Sequence, residues 1–200
     1  MAALILLHKP FQVLCQFTDA DGRATLSDFV SMPGVYPAGR LDYDSEGLVV
    51  LTDDGQLQAR IANPRHELRK RYICQVSGVP TGAHASRLLH GVTLSDGPAH
   101  ALAAAPLATP DVHPRSPAVR HPHATGWMEV VIAEGRNRQV RRMLAAVGLP
   151  VLRLIRTAVG PWELNPLAPG EHRVLQLHAP ISGPGRRRAQ IGRASCRERV

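Results

Sequence analysis

Two hundred residues, 44% of them apolar, suffice for one substantial core or for two small lobes sharing a sheet. No run of about 18 apolar residues occurs, and Ala2–Leu7 is too short for a signal-peptide core, so neither a helical membrane span nor secretion is expected. The formal net charge of +8 overstates the case for a nucleic-acid partner, because residues 183–200 carry +5 of it and leave only +3 for residues 1–182. Cys15, Cys74 and Cys196 are scattered and odd in number, which argues against a disulfide framework or a cysteine zinc site and fits a reducing, cytoplasmic compartment. Residues 183–200 read as a disordered basic tail, and Ile191–Val200 within it as a non-native scar to be left out of fold reasoning.

In chain order, Leu4–Leu7 predicts a first strand stopped by Lys9-Pro10. Thr25 caps a short helix to Val30, and Val35–Ala38 is extended. Leu48–Thr52 is an apolar, β-branched strand, and Gln56–Ala62 has helical spacing ended by Asn63-Pro64. Arg71–Val76 alternates, with Tyr72, Cys74 and Val76 on one side, as a half-buried strand does. Thr81–His90 predicts a helix with Gly91 past its end, and Ala99–Leu102 a short strand. Residues 106–126 hold five prolines and few large apolar groups, so they predict a long surface loop. His113, His121 and His123 within it lack a carboxylate or cysteine partner and read as composition, not as a metal site. Trp127–Ile132 is a strand, Arg138–Val147 a helix with Val140, Leu144 and Val147 on its apolar face, and Val151–Ile155 and Arg173–Leu177 are two last strands. Strands dominate and the helices fall between them without strict βαβ order. The expected fold is α+β, a mixed and mainly antiparallel central sheet with flanking helices and loops.

Three groups of residues can carry chemistry. The turn Gly39-Arg40-Leu41-Asp42-Tyr43-Asp44-Ser45-Glu46 places three carboxylates in five residues against the strand that follows. A loop held by a rigid strand can fix one acid against a substrate. The spacing of Asp42, Asp44, Glu46 and Gly47 is similar to the first half of a calcium-binding EF-hand loop, but Pro37 and Gly39 preclude an entering helix and Asp53 stands where that loop needs a bidentate Glu. Lys70-Arg71-Tyr72 opens a strand. Arg136, Arg138, Arg141 and Arg142 cluster at a helix start, where cations are disfavoured unless a phosphate or a carboxylate offsets them. On a continuous helix Arg138, Arg141 and Arg142 would share one face.

These groups, in this order, resemble the motifs of the RsuA-type pseudouridine synthases. His8-Lys9-Pro10 is similar to the opening motif of that family, Gly39–Leu51 to its active-site motif, and Glu134–Met143 to its arginine-rich motif. Lys70-Arg71-Tyr72, Gly91–Gly97, Leu154-x-Arg156 with Gly160-Pro161, and Leu167–Leu175 complete a likeness that spans residues 4–178, within a catalytic unit taken as residues 1–182. Many relatives carry an S4-type RNA-binding domain ahead of the catalytic one. This chain opens on the first catalytic strand, as a shorter subgroup does, which favours 23S over 16S ribosomal RNA. The resemblance implies an enzyme that isomerises a specific uridine to pseudouridine in ribosomal RNA, as a monomer and without cofactor or metal. In it Asp42 either attacks the ribose anomeric carbon or takes the neighbouring proton, and Tyr72 stacks on the uracil and serves as the base for the C5 proton. Arg141 pairs with Asp42, with Arg138 and Arg142 as the alternatives for that role; Arg40, Lys70 and Arg136, and otherwise Arg138 and Arg142, meet RNA. The competing reading is a catalytically silent RNA-binding module. It gains nothing from a carboxylate that would repel phosphate.

Overall fold

The computed structural model describes residues 2–177. The expected basic tail, with the stretch expected to be a scar, and the 178–182 end of the expected catalytic unit lie outside the described residues. The chain runs β1 (Ala2–Lys9), a 3-10 turn (Leu26–Asp28), β2 (Tyr36–Pro37), β3 (Glu46–Thr52), α1 (Gly55–Ala62), a second 3-10 turn (Pro64–His66), β4 (Lys70–Ser77) and α2 (Gly82–His90). It continues through β5 (Val92–Leu94), β6 (Gly97–Ala99), β7 (Ala103–Leu107), β8 (Thr125–Ile132), α3 (Gln139–Ala146), β9 (Val151–Val159), β10 (Trp162–Glu163) and β11 (His172–Leu177).

Capping chemistry explains the starts of the helical segments. Thr25 caps the first 3-10 turn in a reciprocal box with Asp28, and the Asp54 carboxylate accepts from Gln56 and Leu57 at 2.8 and 3.0 Å to open α1. Asn63 and Pro64 end α1, as expected from a residue preceding proline. The strand expected at Ala99–Leu102 is instead a turn: β6 stops at Ala99, Leu102 bonds back to Val131, and β7 begins at Ala103. The alanine-rich stretch carries no strong local preference, so pairing with β8 decides where the strand begins.

The main sheet has the order β11-β1-β3-β9-β4-β8-β7, with β2 added to β3 and β10 to β9. Every pairing in it is antiparallel except β3 with β9, so the mixed, mainly antiparallel α+β fold expected from the sequence is the one observed. β3 is buried along its whole length because both of its faces are covered. Val49 and Leu51 face a core closed by α2, α3 and the Leu26–Val35 segment, and Leu48 and Val50 face a second core closed by Ile61 of α1, Trp162 and Leu164. The Pro-rich segment is more than a surface loop. Leu107 and Val112 pack on the second core, the Arg115 guanidinium lies 4.1 Å over the Phe11 ring, and the His113 carbonyl accepts from Arg153 at 2.9 Å.

Two contacts set the β3–β9 junction. Gly47 has φ +106, and a Cβ placed on it would lie 2.3 Å from the Arg156 carbonyl oxygen and 2.6 Å from the Arg156 nitrogen. Only a residue without a side chain lets the two backbones meet there. Beside it the Arg153 guanidinium donates to both oxygens of Glu46 at 2.9 and 2.7 Å, with both side chains buried. Gly47→Ala is therefore expected to destabilise by about 4 kcal/mol or more, or to fail to fold, because β9 would have to move. Gly34→Ala, with φ +74 but nothing within 4 Å, should cost only about 1 kcal/mol, both variants being compared with the parent by urea titration. Glu46→Gln should cost about 3–5 kcal/mol by leaving a buried cation without its carboxylate, and the pair Glu46→Leu, Arg153→Met should recover most of that loss.

Candidate active site

The turn ahead of β3 closes when the Ser45 amide donates to the Asp42 carbonyl at 3.1 Å. Gly47 pairs with Arg156 of β9, and Arg156 pairs with Tyr72 of β4, so a single row across three strands carries the acidic turn to the tyrosine. The side chains above this row surround a pocket of about 320 Å³. Asp42, Tyr72, Arg141, Arg40, Lys70, Arg136 and Arg138 all line it, and Arg142 does not.

Two of the three acids of the turn share Arg138, and the third has a partner of its own. Arg138 forms a bidentate pair with Asp44 at 2.9 and 2.8 Å and approaches Asp42 at 3.5 Å. The Arg138 pair holds the Asp44 carboxyl below its ordinary range. Glu46 is buried against Arg153. Among the described residues no group of three or more His, Cys, Asp or Glu converges on a metal position. Asp42 keeps about a third of its side chain exposed, which leaves it open to a ligand in the pocket.

The expected Arg141–Asp42 pair is not formed. Arg141 instead donates to the Asp44 carbonyl at 2.7 Å, to the Ser45 hydroxyl at 3.3 Å and to the Val151 carbonyl at 3.3 Å, with the Asp44 carboxylate at 3.4 Å. It holds the turn by its backbone, and the guanidinium nearest Asp42 belongs to Arg138. The reason is a single dihedral. Arg138 sits at φ 48, ψ 30 as the residue that caps α3, so it is not part of the helix and does not share a face with Arg141 and Arg142. This left-handed conformation costs a residue with a side chain on the order of 1 kcal/mol, and the two aspartates hold it in place.

Arg136 and Arg142 serve the protein more than the pocket. Arg142 pairs with both oxygens of Asp96 at 2.8 and 2.9 Å, and Arg136 donates to Pro98 at 2.7 Å and approaches Asp96 at 3.2 Å. Together they fasten the β5–β6 hairpin to the start of α3, and Asp96 with Asp44 offsets the crowding of cations there. Asp96, Arg153 and Arg156 were not singled out as site residues from sequence. Two arginines within the otherwise apolar stretch 151–159 were the available signal, since a buried strand accepts a charge only when something compensates it.

Tyr72 is buried beneath the pocket, with Leu154 and Arg156 beside it on β9. Lys9 lies fully buried close to the turn. Its ammonium donates to the Pro10 and Val13 carbonyls at 2.9 and 2.7 Å. Burial pushes its pKa down to about 8 against the attraction of Cys15, Glu46, Asp44 and Asp42.

Comparison with known proteins places this geometry. The RNA pseudouridylate synthase family matches residues 3–146. The chain belongs to that family. It is 52% identical over 171 residues to the ribosomal large subunit pseudouridine synthase E of Xanthomonas axonopodis pv. citri (strain 306), covering 83% of this chain and 90% of the relative. It is 47% identical over 176 residues to the enzyme of the same name from Vibrio vulnificus (strain CMCP6), covering 87% of this chain and 75% of the relative. A crystal structure of a pseudouridylate synthase superposes with a TM-score of 0.71 at 30% identity, covering 88% of this chain and 71% of the other. As a member of the family the chain is an isomerase, a pseudouridine synthase, and the resemblance drawn from its motifs is upheld.

The depressed Lys9 pKa predicts a pH signature. The unfolded chain holds the Lys9 proton to higher pH than the folded chain, so the burden of burying the charge is full below pH 8 and is relieved as pH rises from about 8 toward 10.5. Cys15 and Cys74, whose pKa values burial raises, act in the opposite sense, so the comparison must isolate Lys9. The melting temperature of the parent minus that of Lys9→Met is expected to rise by roughly several degrees across that window in calorimetry.

Proposed function

We propose that this chain converts a uridine of large-subunit (23S) ribosomal RNA to pseudouridine in the pocket formed by the turn 39–45, β4, β9 and the start of α3. The observation that carries this reading is the placement of Asp42. It is a partly exposed carboxylate held by Arg138 within a pocket that it shares with Tyr72. The relatives of highest similarity reported above are named for the large ribosomal subunit, which supports that substrate over 16S RNA.

The reaction breaks the bond from C1′ to N1, joins C1′ to C5, and moves a proton from C5 to N1. It needs no net oxidant and no group donor, so no cofactor is invoked. Asp42 acts at the ribose, either by adding to C1′ as N1 leaves with the bonding electrons or by taking the C2′ proton. Tyr72 stacks on the freed uracil, and its phenol is positioned to take the C5 proton after the new bond forms. Arg138 aims Asp42, and Arg141 fixes the backbone of the turn from which Asp42 projects.

Charge placement supports an RNA substrate better than net charge does. Arg138, Arg141, Arg142, Arg136 and Arg153 each meet a carboxylate. Arg40 lines the pocket, and Arg60, Arg65 and Arg69 lie in or beside the segment whose Ile61, Ala62 and Pro64 also line it, with no ion pair among the described residues. These arginines are available to phosphates around a flipped base. The target nucleotide must leave its stack to reach Asp42, as base chemistry in RNA requires. The reading carries with it a cytoplasmic monomer whose catalytic unit is residues 1–182. No helix among the described residues is long and apolar enough to cross a membrane.

Asp42→Asn should fold as the parent does and reduce pseudouridine formation in unmodified 23S rRNA by at least about a thousandfold, scored by carbodiimide mapping. Modification at the parental rate would overturn the assignment of Asp42. Binding of rRNA by the parent chain with no pseudouridine formed would establish the silent binding module instead.

A further inference from the structure

Arg156 is 3% exposed, yet it has no carboxylate within 4.0 Å among the described residues. Its Nε donates to the Leu48 carbonyl at 2.8 Å and its Nη1 to the Arg40 carbonyl at 3.4 Å, and both acceptors are neutral. Arg153, three residues earlier on the same strand and equally buried, shows the ordinary solution: a bidentate carboxylate, Glu46. Lys70 repeats the pattern of Arg156. It is half-buried, and its ammonium donates to the Leu68 and Ala133 carbonyls at 3.0 and 3.1 Å, with no acid in ion-pair range among the described residues.

These two cations stand on adjacent strands that wall the same pocket. Tyr72 stands opposite Arg156 in the β4–β9 register, and Lys70 lies two residues from Tyr72 on the same face of β4. Burial, and after it the charge of Arg156, push the Lys70 pKa down. Both line the pocket that holds Asp42 and Tyr72. Buried charge without a counter-charge is costly, and a second cation beside it raises the cost. A protein that only needed to fold would gain from a carboxylate or an apolar side chain at either position. An arriving anion removes the penalty, and the pocket has the size of a small-ligand site. Among the described residues Asp42 is the one carboxylate that lines it, and Arg138 engages that carboxylate.

We propose that Lys70 and Arg156 form a phosphate seat for the target nucleotide, gripping the phosphodiester on one side of the flipped uridine while Asp42 addresses its ribose. This rests on the isomerase reading above and deepens it. Arg156 also holds the Arg40 carbonyl two residues before Asp42, so the same guanidinium that meets the phosphate anchors the turn that carries the catalytic acid. Binding the phosphate and presenting the carboxylate are thereby one arrangement.

The test is calorimetric titration of the parent chain, Lys70→Met and Arg156→Gln with uridine, uridine 5′-monophosphate and uridine 3′-monophosphate. The parent is expected to bind one of the two monophosphates at least about tenfold more tightly than uridine, and the isomer preferred identifies which phosphate is held. That preference, read in each protein as the ratio of its monophosphate affinity to its own uridine affinity, should disappear in both variants. If Arg156→Gln fails to fold, Lys70→Met carries the result, since its side chain lies at the pocket edge. Binding of a 23S rRNA transcript should also lose salt dependence equivalent to about one phosphate in each folded variant. Equal affinity for all three ligands, no measurable binding of either monophosphate at millimolar concentration, or a preference that survives in Lys70→Met overturns the proposal. Pseudouridine formation by the parent, measured in parallel, separates the two readings. Product without a phosphate preference defeats the seat alone, and a phosphate preference without product defeats the isomerase reading alone.

Discussion

The close approach of β3 and β9 at Gly47 is the constraint on which the rest of the structure depends. Among the described residues it is the one parallel junction in the main sheet, and the backbones are so near that a methyl group would collide with Arg156. Everything chemical hangs from that point. The acidic turn enters β3 immediately before it, Arg156 leaves β9 at it, and Tyr72 of β4 is the next residue in the same row. The neighbouring Glu46–Arg153 pair welds the junction from the other side and ties the Pro-rich strap to it through the His113 carbonyl. A separation typical of two strands with ordinary side chains at this point would take Asp42 away from the tyrosine.

Above this junction the site is organised by how cations are shared. Acids that might have converged on an ion are divided instead between Arg138, Arg141 and Arg153. Asp96 takes Arg136 and Arg142 and locks the β5–β6 hairpin against α3. Positive charge is left over in the pocket wall at Lys70 and Arg156 and at its margin on Arg40, Arg60, Arg65 and Arg69. A protein with a modest net charge can therefore present a locally basic surface, because its acids are spent on arginines that build the scaffold.

Much of this was legible in the sequence, and the parts that were not share a cause. The helices at 56–62 and 81–90 and the strands at β1, β3, β4 and β8 follow from periodicity and capping, which are local. The position of β7 was misjudged because an alanine-rich segment takes its register from its partner. Arg138 was assigned to the helix because nothing in its identity signals a left-handed backbone. Its dihedral is imposed by Asp42 and Asp44, nearly a hundred residues earlier in the chain. The segment 106–126, expected as one long surface loop, gives its first two residues to β7 and its last two to β8, and the leucine and valine that pin it to the second core are too few to stand out.

The sequence by itself determined the class of fold, the family and most of the residues that gather around the pocket, because a motif is a local string and its order along the chain is preserved in the family match. Which cation faces which acid was decided only by the tertiary structure. A guanidinium can reach several partners within a few ångströms, so a half-turn of helix or one left-handed residue reassigns it. Arg141 grips the Asp44 backbone and Arg138 approaches Asp42 for that reason. Arg156, visible in the sequence only as part of a motif, is buried without an acid among the described residues where β3 and β9 close on each other at a glycine.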